Sequence, residues 1–181
     1  NKPAVMITAS HNPAQYNGMK FSKAGAVPMN EDTGLKAIKQ IIEENKFSPI
    51  KETKGRVVQK NILDDFAKHV LSFADAGKIK PMKIAADAGN GMSGKIVPLV
   101  YKNLPIQIVP LFFELDGRFP NHPADPSKFE NLKDLQKKVI EEKCDFGIAF
   151  DGDADRIFFV DENGRTVHSS LITALITQVM L

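Results

Sequence analysis

Three aspartates, Asp151, Asp153 and Asp155, stand at every second position between two apolar runs, 146–150 and 157–160, with Arg156 directly after the third. Short β-branched and aromatic runs around a Gly-containing polar turn read as strand, loop, strand. Three carboxylates therefore sit on a tight loop at a strand's carboxyl end, where open α/β sheets take their ligands. Carboxylates crowded in this way repel one another unless a cation neutralises them, and hard oxygen donors suit Mg²⁺, Mn²⁺ or Ca²⁺. Two other readings compete. Asp and Gly suit plain solvated turns, but such a turn rarely alternates three Asp directly between apolar strands. An EF-hand loop would use Asp151, Asp153, Asp155 and Glu162 as its first, third, fifth and twelfth positions. Its sixth position needs Gly and is Arg156 here, and its flanks should be helices rather than strands.

A second chemical stretch lies near the amino end. Ser10 and His11 are adjacent in a loop, 8–18, dense in Ser, Asn, Pro and Gly. A serine hydroxyl is a weak nucleophile at neutral pH and needs a base, a cation or a neighbouring donor. Lys20, on a short return strand at 19–21, is placed to point back at Ser10. The structural alternative is that Ser and Asn serve turn geometry while His11 only hydrogen-bonds.

Around these loops the chain alternates. Residues 4–7 read as a buried strand. Residues 34–44 form a helix with Leu35, Ile38, Ile41 and Ile42 on one face and Asn30, Asp32 or Thr33 as its cap. A connection at 47–55 and a short strand at 56–59 follow. A second helix spans 63–74, with Phe66, Ala67, Val70 and Leu71 at helical spacing. Then come a strand at 82–86, a turn at 87–91, a helix at 94–101, a strand at 106–111 and a long Pro-rich loop at 114–128. A helix at 131–143 turns Leu132, Leu135, Val139 and Ile140 inward. The aspartate hairpin, a turn at 162–164 and a helix from Ser169 complete the chain. Alternating strand and helix predicts an α/β protein with mixed, mostly parallel sheets covered by helices. The domain boundary falls near 59–61, giving domains 1–60 and 61–181.

Composition bounds the function. The 181 residues are 43% hydrophobic and 25% charged, ordinary for a globular protein. A net charge of +2 with interleaved Lys and Glu gives no nucleic-acid footprint. No apolar stretch reaches spanning length and no signal peptide is visible, so no membrane partner is expected. Cys144 is the single cysteine, beside an apolar run, and reads as a small core residue in reducing cytosol. His69 and His168 read as surface or capping residues, and His122 as structural. The turn 87–91 could offer backbone amides to a phosphate, although a tight turn requiring glycine conformations is the better reading of Gly89 and Gly91. The absence of an initiator Met and a helical pattern running into Leu181 suggest a piece of a longer protein.

The segments 8–13 (TASHNP), 17–20 (NGMK), 87–91 (DAGNG) and 151–156 (DGDADR), in that order, resemble the α-D-phosphohexomutases. Segment 116–123 (DGRFPNHP) is similar to the bacterial phosphomannomutase/phosphoglucomutase branch. The resemblance implies a fold of two partial domains: the latter part of the catalytic-serine domain, and the metal-binding domain. It implies that Ser10 carries a phosphoryl group, and that Asp151, Asp153 and Asp155 bind Mg²⁺ together with a phosphoserine oxygen of Ser10. Arg156 would lie close to that phosphate. His11 and Lys20 would belong to the catalytic loop, with Lys20 the better candidate base.

The implied reaction interconverts hexose 1-phosphate and 6-phosphate, of glucose or mannose, through a hexose bisphosphate. The charges suit it: a phosphoserine carries about two negative charges at pH 7 and needs a metal beside three aspartates. Arg156 and Lys20 add positive charge where charge moves. The family's third and fourth domains, which read sugar and phosphate, have no counterpart here, so little or no activity is expected of this chain alone. Two rivals remain. A haloacid-dehalogenase-type phosphotransferase would use Asp151 as nucleophile, but its motif continues Gly-Thr and leaves Ser10-His11 without a role. A metal-dependent binding module would do no chemistry.

Overall fold

The computed structural model describes residues 2–9, 12, 15–50, 52–53 and 55–181, and the chain divides into two compact units, Asn1–Lys60 and Asn61–Leu181. The first unit is a three-stranded antiparallel sheet, β1 (Ala4–Ile7), β2 (Met19–Lys23) and β3 (Val27–Pro28), followed by α1 (Lys36–Glu43). A widened turn, Glu31–Leu35, leads into α1 and carries a capping box. Asn30 Oδ1 accepts from the Thr33 amide, and Thr33 Oγ1 accepts from the Asn30 amide, each at 2.9 Å. Of the three possible caps, Asn30 is the one used.

The second unit opens with α2 (Leu63–Leu71), then β4 (Met82–Asp87), α3 (Ser93–Tyr101), β5 (Ile106–Leu111), α4 (Lys133–Glu141), β6 (Phe146–Phe150), β7 (Ile157–Val160), β8 (Thr166–Val167) and α5 (Ser169–Met180). Its sheet runs β5-β4-β6-β7-β8. The β4–β5 and β4–β6 pairings are parallel; β6–β7 and β7–β8 are antiparallel. The chain leaves β4 toward β5 on one side and returns to β6 on the other, so strand order reverses at β4. The carboxyl ends of β4 and β6 thus flank a topological switch point.

Period-two alternation splits the core into two layers. Ala85, Ala149 and Val160 face Leu132, Leu135 and Val139 at the α4 side, with Cys144 among them. Ile84, Ala86 and Ile148 form the other layer, against which Tyr101 of α3 packs. Gly147 lets α4 approach β6. A Cβ there would lie 2.7 Å from Val139 Cγ2 and 2.9 Å from Leu135 Cδ1.

The α/β class with mixed sheets is as expected, but pairing is parallel only across β5-β4-β6. The antiparallel β6–β7 pair is the expected aspartate hairpin, whereas alternation in sequence does not reveal that β8 turns back on β7. The short strands β3 and β8 carried no apolar run to announce them. Residues 4–7 are a strand but not a buried one: Val5, Met6 and Ile7 are exposed, and among the described residues β1 pairs with β2 alone. Residues 56–59 form no strand; Val57 and Val58 are solvent-exposed in a connection without regular structure.

The apolar stripes of α1 and α2 leave Ile41, Ile42, Phe66 and Val70 exposed, and α2 stops at Leu71. Nor is Ile140 inward. It sits at the rim of α4, where its Cδ1 would be 2.7 Å from a Cβ on Gly164. His168 caps α5 by accepting from the Ser170 amide, as a residue at a helix start should.

Candidate functional site

Asp151 follows β6 and is fully buried, whereas Asp153 and Asp155 are exposed. The hairpin is closed at its base by Asp151 N–H donating to the Arg156 carbonyl at 3.3 Å and by Ala154 N–H donating to the Asp151 carbonyl at 3.1 Å. Ala154 takes the left-handed conformation, φ 62°, that completes so tight a turn. The result converges three carboxylates: one oxygen from each of Asp151, Asp153 and Asp155 lies within 4.8 Å of the other two. Ligands around one hard cation at about 2.0–2.6 Å stand at such separations. The donor set is all oxygen, as Mg²⁺, Mn²⁺ or Ca²⁺ prefers.

Arg156 belongs to the same loop. Its backbone N–H donates to Asp151 Oδ1 at 3.1 Å and its Nε to Asp151 Oδ2 at 2.7 Å. Nη1 reaches Asp125 Oδ1 at 3.4 Å, and Asp155 Oδ1 lies 3.8 Å from Nε. These carboxylates, Asp151 first, raise the Arg156 pKa further above its ordinary value, so the guanidinium is a permanent cation at the loop.

The turn after β4 stands beside it. Met92 N–H donates to the Gly152 carbonyl at 2.9 Å. Gly91 permits this approach, since a Cβ there would lie 2.7 Å from the Gly152 oxygen and 2.9 Å from its Cα. The amides of the turn are spent internally: Gly89 on Asp87 Oδ1, Asn90 on the Phe112 carbonyl, and Gly91 on the Ala88 carbonyl. The turn therefore serves as a structural element and not as an amide cradle for phosphate. Gly89 and Asn90 have φ of 49° and 61°.

The Pro-rich loop braces both turns. His122 Nε2 is 3.0 Å from Asp87 Oδ2, Nδ1 is 2.9 Å from the Pro123 carbonyl, and the ring meets Phe112 edge-on. The hydrogen bond to Asp87 raises the His122 pKa, against the opposing effect of burial. Asn121 Nδ2 donates to Asn90 Oδ1 at 2.8 Å. Phe119 and Ala124 line the approach to Gly152. Arg118 folds back on Asp116, Nη2 to Oδ2 at 2.6 Å, and holds that carboxyl at about 2. Reading the sequence missed Asp125 as a neighbour of Arg156; an Asp-Pro-Ser step in a loop signals only a local turn.

A family model described as phosphoglucomutase/phosphomannomutase, alpha/beta/alpha domain II, matches residues 63–164, the stretch that holds this whole arrangement. The chain belongs to the phosphoglucomutase/phosphomannomutase family. The domain I model of the same family matches residues 2–49. A phosphomannomutase of Vibrio cholerae is 38% identical over 98% of this chain, and a phosphomannomutase/phosphoglucomutase of Pseudomonas aeruginosa 41% identical over 96%. The crystal structure of a phosphoglucomutase/phosphomannomutase family protein from Burkholderia thailandensis superposes with a TM-score of 0.74 at 32% identity, covering 92% of this chain. The chain spans 39%, 36% and 35% of the lengths of these three relatives.

Ser10, His11 and Lys20, which the resemblance assigns to a catalytic loop, fall in the first unit. Ser10 and His11 lie outside the described residues. The base of their loop is pinned by Thr8 N–H donating to the Gly18 carbonyl at 3.0 Å, and Gly18 leaves no room for a Cβ beside the Thr8 carbonyl. Lys20 is exposed on β2, in register with Met6, and shares an apolar groove with Met19, Phe21 and Met29. Among the described residues, no helix is long and apolar enough to cross a membrane.

Proposed function

We propose that this chain supplies the phosphoserine and the metal loop of a cytoplasmic phosphohexomutase that interconverts hexose 1- and 6-phosphates through a hexose bisphosphate. The observation that carries the reading is the convergence of Asp151, Asp153 and Asp155 at the carboxyl end of β6 within a domain II match. The named activities of the relatives point to glucose or mannose phosphates.

The three aspartates fit Mg²⁺, which would neutralise phosphate charge and polarise the transferring group. Ser10 Oγ releases the phosphoryl group as the P–O bond to the sugar hydroxyl forms. The hydroxyl proton leaves the sugar by way of Lys20 and is delivered to Ser10 Oγ, so the step is proton-neutral overall. His11 is assigned to the same catalytic loop by the resemblance. Arg156 holds fixed positive charge beside the transferring phosphate. The parent protein's remaining domains would complete recognition of sugar and phosphate.

Asp151 is poorly suited to be a nucleophile, since it is buried and both its oxygens accept from Arg156. The test is to incubate the full-length parent, with this chain beside it, with a hexose 1,6-bisphosphate and Mg²⁺ and map the phosphorylated peptide. Acid-stable phosphoserine at Ser10 is expected. An acyl phosphate on Asp151 would instead indicate dehalogenase-type chemistry. No incorporation, in this chain or in a full-length parent, would leave a binding module.

A further inference from the structure

Arg156 stands between two carboxylates. On one side Nε is 2.7 Å from Oδ2 of Asp151, a residue of the triad; on the other Nη1 is 3.4 Å from Oδ1 of Asp125, outside it. Asp125 is itself fixed in place. Ser127 Oγ donates to its Oδ1 at 2.6 Å, and the buried Asn131 donates through Nδ2 to its carbonyl at 2.8 Å. Both Asp151 oxygens accept from Arg156, so a dication held by the triad shares that carboxylate with the guanidinium, and two cations on one carboxylate repel. That repulsion weakens the guanidinium's hold on Asp151, and the carboxylate already within reach of its other arm is Asp125.

Resting on the metal-loop reading above, we propose that Asp125 is a positioning residue that retains Arg156 at the rim of the aspartate loop when a divalent cation takes Asp151. The pair is too exposed, at 40% and 33% of the two side chains, to matter much for stability. Its effect is geometric. Without Asp125 the guanidinium has no second anchor on that side among the described residues and stays on Asp151, in competition with the metal.

The test is a double-mutant cycle read by calorimetric titration with Mn²⁺ on the 181-residue chain, using the parent, Asp125→Asn, Arg156→Gln and the double variant. The expected result is about tenfold weaker Mn²⁺ binding for Asp125→Asn, the lower end for groups that orient metal ligands. In the Arg156→Gln background the same change should cost less than about twofold. An equal loss in both backgrounds overturns the proposal, because it means Asp125 acts only as distant negative charge. No loss in the parent background overturns it too. If the parent binds no Mn²⁺ at all, the metal-loop reading falls, and this inference with it. Should Asp125→Asn lose its native amide spectrum, Ser127→Ala replaces it, with a smaller loss again confined to the Arg156 background; equal loss in both backgrounds counts against the proposal here as well.

Discussion

Met92 N–H donates to the Gly152 carbonyl at 2.9 Å, joining the turn after β4 to the aspartate loop after β6. The contact depends on Gly91, whose missing side chain leaves room for Gly152 backbone atoms that cannot move without moving the loop. Gly91→Ala is expected to cost about 1–3 kcal/mol, the range for overpacking, and to weaken Mn²⁺ binding as the aspartates lose alignment. Urea unfolding and a Mn²⁺ titration on the same sample check both. Unchanged stability would mean that the two turns are not in van der Waals contact.

Asp151 and Asp153 should separate folding from binding. Asp151 is buried and accepts two hydrogen bonds from Arg156, whereas Asp153 is exposed. Asp151→Ala is expected to destabilise by about 1–3 kcal/mol, the loss of a buried hydrogen-bonded group whose partner Arg156 stays 40% exposed and screened by solvent. Asp153→Asn should change stability by under about 0.5 kcal/mol. Both should reduce Mn²⁺ affinity. Metal binding unaltered in Asp153→Asn would remove that residue from the ligand set.

His122 makes stability depend on pH. Its folded pKa is raised, chiefly by the hydrogen bond to Asp87, so the pair's contribution is fully present below the unfolded value of about 6.5. That contribution fades as pH rises through the folded pKa. The urea midpoint of the parent should therefore fall relative to that of His122→Asn as pH increases above about 6.5. Parallel profiles would show that the His122–Asp87 contact does not favour the imidazolium.

Ser93, at the start of α3, is 1% exposed, and its Oγ has no hydrogen-bond partner among the described residues. A buried hydroxyl left unsatisfied costs about 1–3 kcal/mol. Ser93→Ala is thus expected to raise stability, by about 1 kcal/mol. A thermal or urea midpoint lower than the parent's would reveal a partner for that hydroxyl.

Much of this molecule was readable before its coordinates. The central strands and α3, α4 and α5 follow from apolar runs and helical spacing, and the aspartate loop from alternation between two such runs. What sequence concealed was coverage and long-range pairing. An apolar run looks the same whether a helix covers it, as on β6, or solvent does, as on β1. Ile140 fits the inward stripe of α4 by spacing alone, yet it lies at the rim because the neighbouring surface is a turn. Asp125, Asn121 and His122 gain their roles only because β5 ends at the same sheet edge as β4 and β6. The sequence separation from His122 to Asp87 and from Asp125 to Arg156 hides that edge completely.

Cys144 lies 3% exposed in the layer between α4 and the sheet, and burial holds its thiol above the ordinary range. As the chain's only sulfhydryl, it is a built-in clock for opening of the second unit. A thiol reagent reaches it only when α4 lifts away, so labelling rates at increasing reagent concentration would report both how often that event occurs and how quickly it reverses. No engineered probe is needed to time it.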